Sequence, residues 1–173
     1  MTPPPEEVSA EPAATPSFEA VFHAEYRGLV ALAAAVGGRR ARAEDIVQEA
    51  MVRLDRAWDT VSTYDRPGAW LRRVTINLAL SHRRRLGREA RALLRLERTE
   101  SSLDPTPPAE HAHVWAVVAE LPGKQRAAVA LHYLEDASID EIADVLEIAP
   151  ATARVHLHRA RQTLRDRLQE DDR

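Results

Sequence analysis

The sequence predicts an all-α protein built from two small helical modules joined by a flexible linker. Three observations carry that expectation. Of the 173 residues 45% are hydrophobic but only 5% aromatic, and the Ala, Leu and Arg that dominate favour helices. Apolar residues recur at three- and four-residue spacings along most of the chain, the period of a helix with one buried face. Residues 1–16, with five of the eleven prolines, and 98–110, with Pro105, Pro107 and Pro108, interrupt that pattern. Neither stretch holds enough apolar surface to offset the entropy of ordering. The first reads as a disordered acidic tail and the second as a linker, leaving modules at 17–97 and 111–168 and a short tail at 169–173.

Composition excludes whole chemistries. With no cysteine, disulfide frameworks, thiolate metal sites and thiol nucleophiles are ruled out together. The longest apolar run, Leu29 to Val36, is far short of the roughly 20 residues of a membrane span. The N-terminus lacks the basic start and apolar core of a signal peptide, so the expectation is a cytoplasmic protein without membrane insertion. A net charge of -3 conceals strong segregation along the chain, and local field matters more than the sum.

In the first module Phe18, Val21, Phe22, Tyr26, Leu29 and Val30 mark one helical face, which Gly37 and Gly38 end. A second helix is expected from about Ala43 to Trp58. Ile46, Val47, Ala50, Met51 and Leu54 point inward there, and Glu44, Asp45, Gln48 and Glu49 crowd its first two turns, where acids suit the helix dipole. Pro67 fits the first turn of a third helix, carried on by Trp70, Leu71, Val74, Leu78 and Leu80. That helix runs into Ser81 to Arg98, with seven arginines against two glutamates. A few basic residues at a helix end are ordinary dipole compensation; this density indicates a polyanion-binding surface.

The second module opens with a helix holding Val114, Val117 and Val118, and Leu121-Pro122 starts another. Ser138 with Glu141 three residues on is a capping box. Ile139, Ile142, Ala143 and Leu146 follow at i, i+3, i+4 and i+7, with Ala143 small enough for a second helix to cross. Glu147-Ile148-Ala149 forms a turn and Pro150 presets the next helix. At about 100° per residue, Ala153, Leu157, Ala160, Leu164 and Leu168 form its core stripe. Thr152, Val155, Arg159, Gln162, Thr163 and, at the edge, His156 lie opposite. An outward valine between Thr152 and Arg159 suits a recognition helix, whose methyls meet thymine and whose arginine meets guanine or phosphate. Residues 138–168 thus read as a helix-turn-helix. The segment 135–147 has six acids and no base, whereas 150–168 has five arginines and one acid.

The histidines do not make a metal site. His156 and His158 are two apart, which on a helix points them about 200° from each other, whereas ligation needs i, i+3 or i, i+4. His132 reads as an ordinary half-buried histidine, and His111 and His113 lie beside the linker with only Glu110 near. No catalytic residue, metal or cofactor is expected.

Taken together, the segments Ala43 to Ala50, Ala69 to Ala79 with the arginines after it, and Leu121-Pro122 through the capping box to Arg161 resemble a bacterial RNA polymerase sigma factor of the extracytoplasmic-function group. The resemblance spans nearly all of 17–168 and implies sigma regions 2 and 4 without a domain between. It implies that Asp45, Gln48, Glu49 and Met51 meet the clamp helices of the largest catalytic subunit of core RNA polymerase, with the flap region a further contact. The loop Asp59 to Arg66, including Tyr64, and Asn77 would receive unstacked bases of the minus-10 element, while Trp70, Arg72, Arg73, Arg83, Arg84 and Arg85 hold DNA. Thr152, Arg154, Val155, His156 and Arg159 would read the minus-35 element of promoter DNA. Trp70 equally suits a core position. An anti-sigma factor is a possible partner, and the linker would thread the polymerase cleft. The sequence departs from the family pattern at Glu147, where glycine is usual, at Ala149, where a small polar cap is usual, and at Val155 and His156, where serine and a basic residue are usual. The implied function is promoter recognition and melting; the alternative is a stand-alone helix-turn-helix regulator, for which the acidic second helix has no use. A hydrolase or nuclease would need a convergent constellation that is not visible.

Overall fold

The computed structural model describes residues 16–37, 40–93 and 112–171, which form seven helices: α1 (Phe18–Gly37), α2 (Arg40–Val61), α3 (Pro67–Leu93), α4 (Ala112–Glu120), α5 (Gly123–Leu134), α6 (Ile139–Leu146) and α7 (Pro150–Asp171). The expected tail up to residue 15, residues 94–98 of the basic stretch and the linker lie outside the described residues. Ser17 Oγ accepts a hydrogen bond from Ala20 N at 3.1 Å, capping α1.

α2 starts one turn earlier than the periodicity suggests, at Arg40, and has no acidic residue in its first turn. Glu44 and Asp45 therefore stand too far along to compensate the helix dipole, which fades within the first turn. Their placement needs another reason. α2 also runs on to Val61, so Asp59 and Thr60 are helical and the loop before α3 shrinks to Ser62 to Arg66. Pro67 is the first residue of α3, as expected.

Helices α1 to α3 pack around Leu29, Leu32, Leu54, Leu71 and Ile76, none more than 1% exposed; burying each contributes roughly 1.5–3 kcal/mol. Leu131, Ile142, Ala153, Leu157 and Ala160 centre the second module. The two modules share one continuous apolar core, with α5 against α1 and α6 against α3. The reason lies in α5, where the six consecutive residues Arg126 to Leu131 are all buried. A helix buried all round must have neighbours on both sides. α7 continues to Asp171, so the tail expected from 169 is helical for its first three residues.

Candidate nucleic-acid interface

The helix-turn-helix is formed as anticipated. Glu141 N donates to Ser138 Oγ at 3.3 Å and Ser138 N donates to Glu141 Oε2 at 2.8 Å, a complete capping box. Those bonds and the Arg66 guanidinium hold the Glu141 carboxyl down at about 2. Glu147 ends α6 at φ 52°, in the left-handed region where glycine carries no Cβ penalty. The turn thus holds its usual shape with an unfavourable residue. Ile148 N donates to Ala143 O at 3.0 Å, and the Ile148 side chain packs against the core.

On α7 the predicted stripe divides as expected. Ala153, Leu157 and Ala160 are buried, whereas Thr152, Arg154, Arg159, Gln162 and Thr163 are exposed. Val155 is 45% exposed. It stands outward on α7 between Thr152 and Arg159, away from the core stripe. His156 is half-buried, its Nδ1 has no hydrogen-bond partner, and burial, then Lys124 and Arg159, push its pKa below the ordinary imidazole value. Arg161 is occupied elsewhere: it donates to Tyr133 Oη at 3.1 Å and to His132 Nε2 at 2.9 Å, tying α7 to α5. His132 Nδ1 lies 3.2 Å from Ala137 O; the proton belongs on Nδ1, leaving Nε2 to accept. The half-buried structural histidine expected there is what the structure contains.

The arginines of α3 are in a different condition. Arg72 is wedged between two carboxylates, with Nη2 2.7 Å from Glu25 Oε2 and Nε 2.8 Å from Glu135 Oε2. Arg73 pairs with Glu147 at 3.0 Å and donates to Asp144 O at 2.7 Å, while Arg66 pairs with Glu141. Arg83 donates to Ala119 O at 2.5 Å, a carbonyl that also accepts from the buried Arg126 at 2.6 Å. Burial lowers the pKa of both guanidinium groups, that of Arg126 to about 10. The row read as free DNA-holding cations is, in this arrangement, largely paired with the second module. Arg84, which reaches Leu80 O in its own helix at 3.3 Å, and Arg85, 3.5 Å from Glu89, remain exposed. Asn77 is exposed too and shares a groove with Arg83, Arg84, Arg88, Lys124 and Arg126.

Tyr64 is 45% exposed. Trp70 is half-buried and packs against the core, yet both rings line a cavity of about 350 Å³ between the modules. On α2, Asp45, Gln48 and Glu49 are exposed and lie on one side. Met51 is not with them: at 6% exposure it belongs to the core, which corrects its assignment as a polymerase contact. At about 100° per residue it stands about 120° round the helix from Asp45 and about 160° from Glu49. The residue that does join that face is Val52, 49% exposed and four positions after Gln48. Val52 carries the same signal as Val155, an aliphatic side chain left in water, but in the sequence it is overshadowed by the acidic cluster beside it.

These features define a helical DNA-binding protein with a C-terminal helix-turn-helix and a second, arginine-lined helix. Two family models match the chain: Sigma-70 region 2 over residues 21–89 and Sigma-70 region 4 over 112–164. Among relatives, it is 32% identical to the ECF RNA polymerase sigma factor SigE of Mycolicibacterium smegmatis, over 94% of this chain and 65% of that protein. It is 31% identical to the RNA polymerase sigma-E factor of Streptomyces avermitilis, over 75% of this chain and 73% of that one. The fold matches that of the sigma factor RpoE from Bartonella quintana, solved in complex with the anti-sigma factor NepR, at a TM-score of 0.73 and 22% identity, covering 88% of this chain and 96% of that one. The chain belongs to the extracytoplasmic-function group of RNA polymerase sigma factors, as a 30% identity to the ECF RNA polymerase sigma factor SigM of Mycobacterium tuberculosis, over 86% of this chain and 75% of that one, shows. It spans slightly less than two thirds of the length of the SigE relative. Among the described residues no helix is long and apolar enough to cross a membrane.

Proposed function

We propose that the chain is a dissociable, non-catalytic, cytoplasmic subunit that directs core RNA polymerase to promoters. The observation that carries this reading is the presence in one chain of three separate surfaces: the outward face of α7, the arginines of α3, and the exposed Asp45, Gln48, Glu49 and Val52 face of α2. Thr152, Arg154, Val155, His156 and Arg159 read the minus-35 element in the major groove. Tyr64, Trp70, Arg72, Arg73, Asn77, Arg83, Arg84 and Arg85 capture and hold the minus-10 strand. The α2 face docks on the clamp helices, with Val52 adding an apolar anchor among polar groups, as docking sites commonly have. Because the cavity that holds Tyr64 and Trp70 is closed on one side by Glu135 and Glu141, melting requires the modules to separate. An anti-sigma factor that favours the closed arrangement would keep the chain inactive. A stand-alone regulator needs only α6 and α7, and leaves the α2 face without a role.

The test is copurification with core polymerase followed by run-off transcription on genomic fragments, including the region upstream of the chain's own gene. Specific transcripts that need the chain support the reading. DNA binding without polymerase association would leave the stand-alone regulator in its place.

A further inference from the structure

Where the end of α3 meets the start of α5, five cations line a groove of about 790 Å³: Arg83, Arg84, Arg88, Lys124 and Arg126. Among the described residues Glu120 is the single acid on its walls, and that carboxylate leans toward Arg167 of α7, 4.0 Å away. Leu80 and Leu121 add an apolar flank. Clustered cations in a folded chain are ordinarily spread in water or paired with carboxylates. At the floor of this groove neither holds.

Arg126 is 3% exposed, and its partners among the described residues are carbonyls. Its Nη1 donates to Ala119 O at 2.6 Å and to Leu121 O at 3.3 Å, while Nε has no acceptor. Arg83 Nη2 donates to the same Ala119 carbonyl, and its buried Nη1 also lacks an acceptor. Two guanidinium groups thus share one neutral oxygen. Burial lowers the pKa of Arg126, and the charge of Arg83 lowers it further.

The start of α5 adds to this positive field. Pro122 stands at its N-cap and makes no side-chain cap, so the amides of Gly123, Lys124 and Gln125 present the positive end of the helix dipole uncapped. The next amide, Arg126 N, donates to Pro122 O at 3.0 Å. Gly123 keeps the approach clear, since a Cβ there would stand 2.9 Å from Leu80 Cδ2 and 4.0 Å from Arg126 Nη2.

We propose that this groove is a binding site for a free oligophosphate, the pyrophosphate or triphosphate group of a small ligand. A helix N-terminus flanked by arginines is a recurrent solution for binding phosphate. One phosphate sits at the start of α5 over Arg126 and Arg83, and the chain of phosphates extends along α3 to Arg84 and Arg88, with Lys124 at its side. A terminal phosphate brings close to two charges and three acceptor oxygens. A DNA phosphodiester brings a single charge and is fixed in a polymer, so it meets the outer arginines and leaves the buried pair uncompensated. The site does not depend on the reading of Arg83 and Arg84 as DNA-holding groups.

The experiment titrates the full chain, without polymerase, with inorganic triphosphate by calorimetry, and in parallel with a single-stranded DNA 20-mer that bears no terminal phosphate. R88E/K124E reverses two exposed cations of the groove. R56E/R165E makes the same change of charge at exposed positions outside it. One triphosphate should bind per chain, and R88E/K124E should weaken it by at least about tenfold, as for loss of charge-assisted hydrogen bonds. R56E/R165E should stay within about twofold of the parent, because distant exposed charges are screened. The amide signals of Gly123, Lys124 and Gln125 in the parent chain should shift saturably during the titration, a readout that needs no variant. Equal losses in the two double variants reveal a diffuse charge effect and overturn the site. So do amide signals that stay still, or a parent chain that shows no saturable triphosphate binding. Weakening of the DNA strand alone by R88E/K124E would give the groove to backbone phosphate instead.

Discussion

The two basic surfaces of this chain differ more in their surroundings than in their residues. On α7, Arg154 and Arg159 stand in solvent beside Thr152 and the exposed Val155. On α3, a more strongly basic helix, Glu25 of its own module and Glu135 of the other hold Arg72, and Glu147 holds Arg73. An arginine cluster in a sequence therefore marks where a polyanion could bind, whereas availability is set by what packs opposite. One surface stands open; on the other, Arg72, Arg73 and Arg83 are occupied by carboxylates and carbonyls of the same chain.

The sharpest break of that comparison is the pair Arg159→Ala and Arg73→Ala in the free chain. Loss of Arg159 should weaken binding to a cognate minus-35 duplex by about 1–3 kcal/mol, as for one good base contact. Arg73→Ala should leave that affinity nearly unchanged. Equal losses, measured by titration at one salt concentration, would contradict the division into open and covered surfaces.

A smaller effect is expected at the acid edge that covers α3. Ser138→Ala removes the N-cap of α6 and should cost about 1 kcal/mol in chemical denaturation. The Glu141 carboxyl, whose pKa falls from 4.5 to about 2 on folding, gives this edge a pH signature. A depressed carboxylate stabilises above its unfolded pKa, and that contribution is lost as pH falls from 4.5 towards 2. The decline of the melting temperature across this window should be shallower in Glu141→Gln; an identical slope would remove Glu141 from the account.

Glu147 links the turn to the covered surface. Replacing it with glycine relieves the left-handed strain at φ 52° but gives up an exposed ion pair with Arg73, which is worth little. The balance should be a gain of up to about 1 kcal/mol. A lower melting temperature for Glu147→Gly would mean that the Arg73 contact outweighs the strain.

The smallest effect concerns the open surface. The His156 pKa is lowered, so at about pH 7.5 its imidazole is neutral. A nearby phosphate favours the protonated form, DNA binding takes up a proton, and affinity must rise as pH falls. Between about pH 7.5 and pH 6 the gain should be roughly two- to threefold, and absent in His156→Gln.

Much of this was legible in the sequence because it is local. The Ser138 and Glu141 capping box, Pro67 and Pro150 at the first positions of α3 and α7, and the core stripe of α7 depend on contacts three or four residues apart. Hydrophobic period and cap chemistry encode those directly. The same logic misplaced the start of α2 by one turn, because acids were read as a first turn when they belong to an exposed face. Periodicity placed Met51 inward with Ile46, Val47 and Ala50, as the structure has it; only the role carried over from the family resemblance set it among polymerase contacts.

What the sequence by itself determined is the set of helices, the helix-turn-helix and the outward face of α7, since each follows from the order of neighbouring residues. Tertiary structure alone decided that α5 closes on α1, that Glu25 and Glu135 converge on Arg72, and that Arg73 and Arg83 are engaged by the second module. Partners brought together across 63 residues leave no periodic trace, because their pairing depends on how whole helices pack.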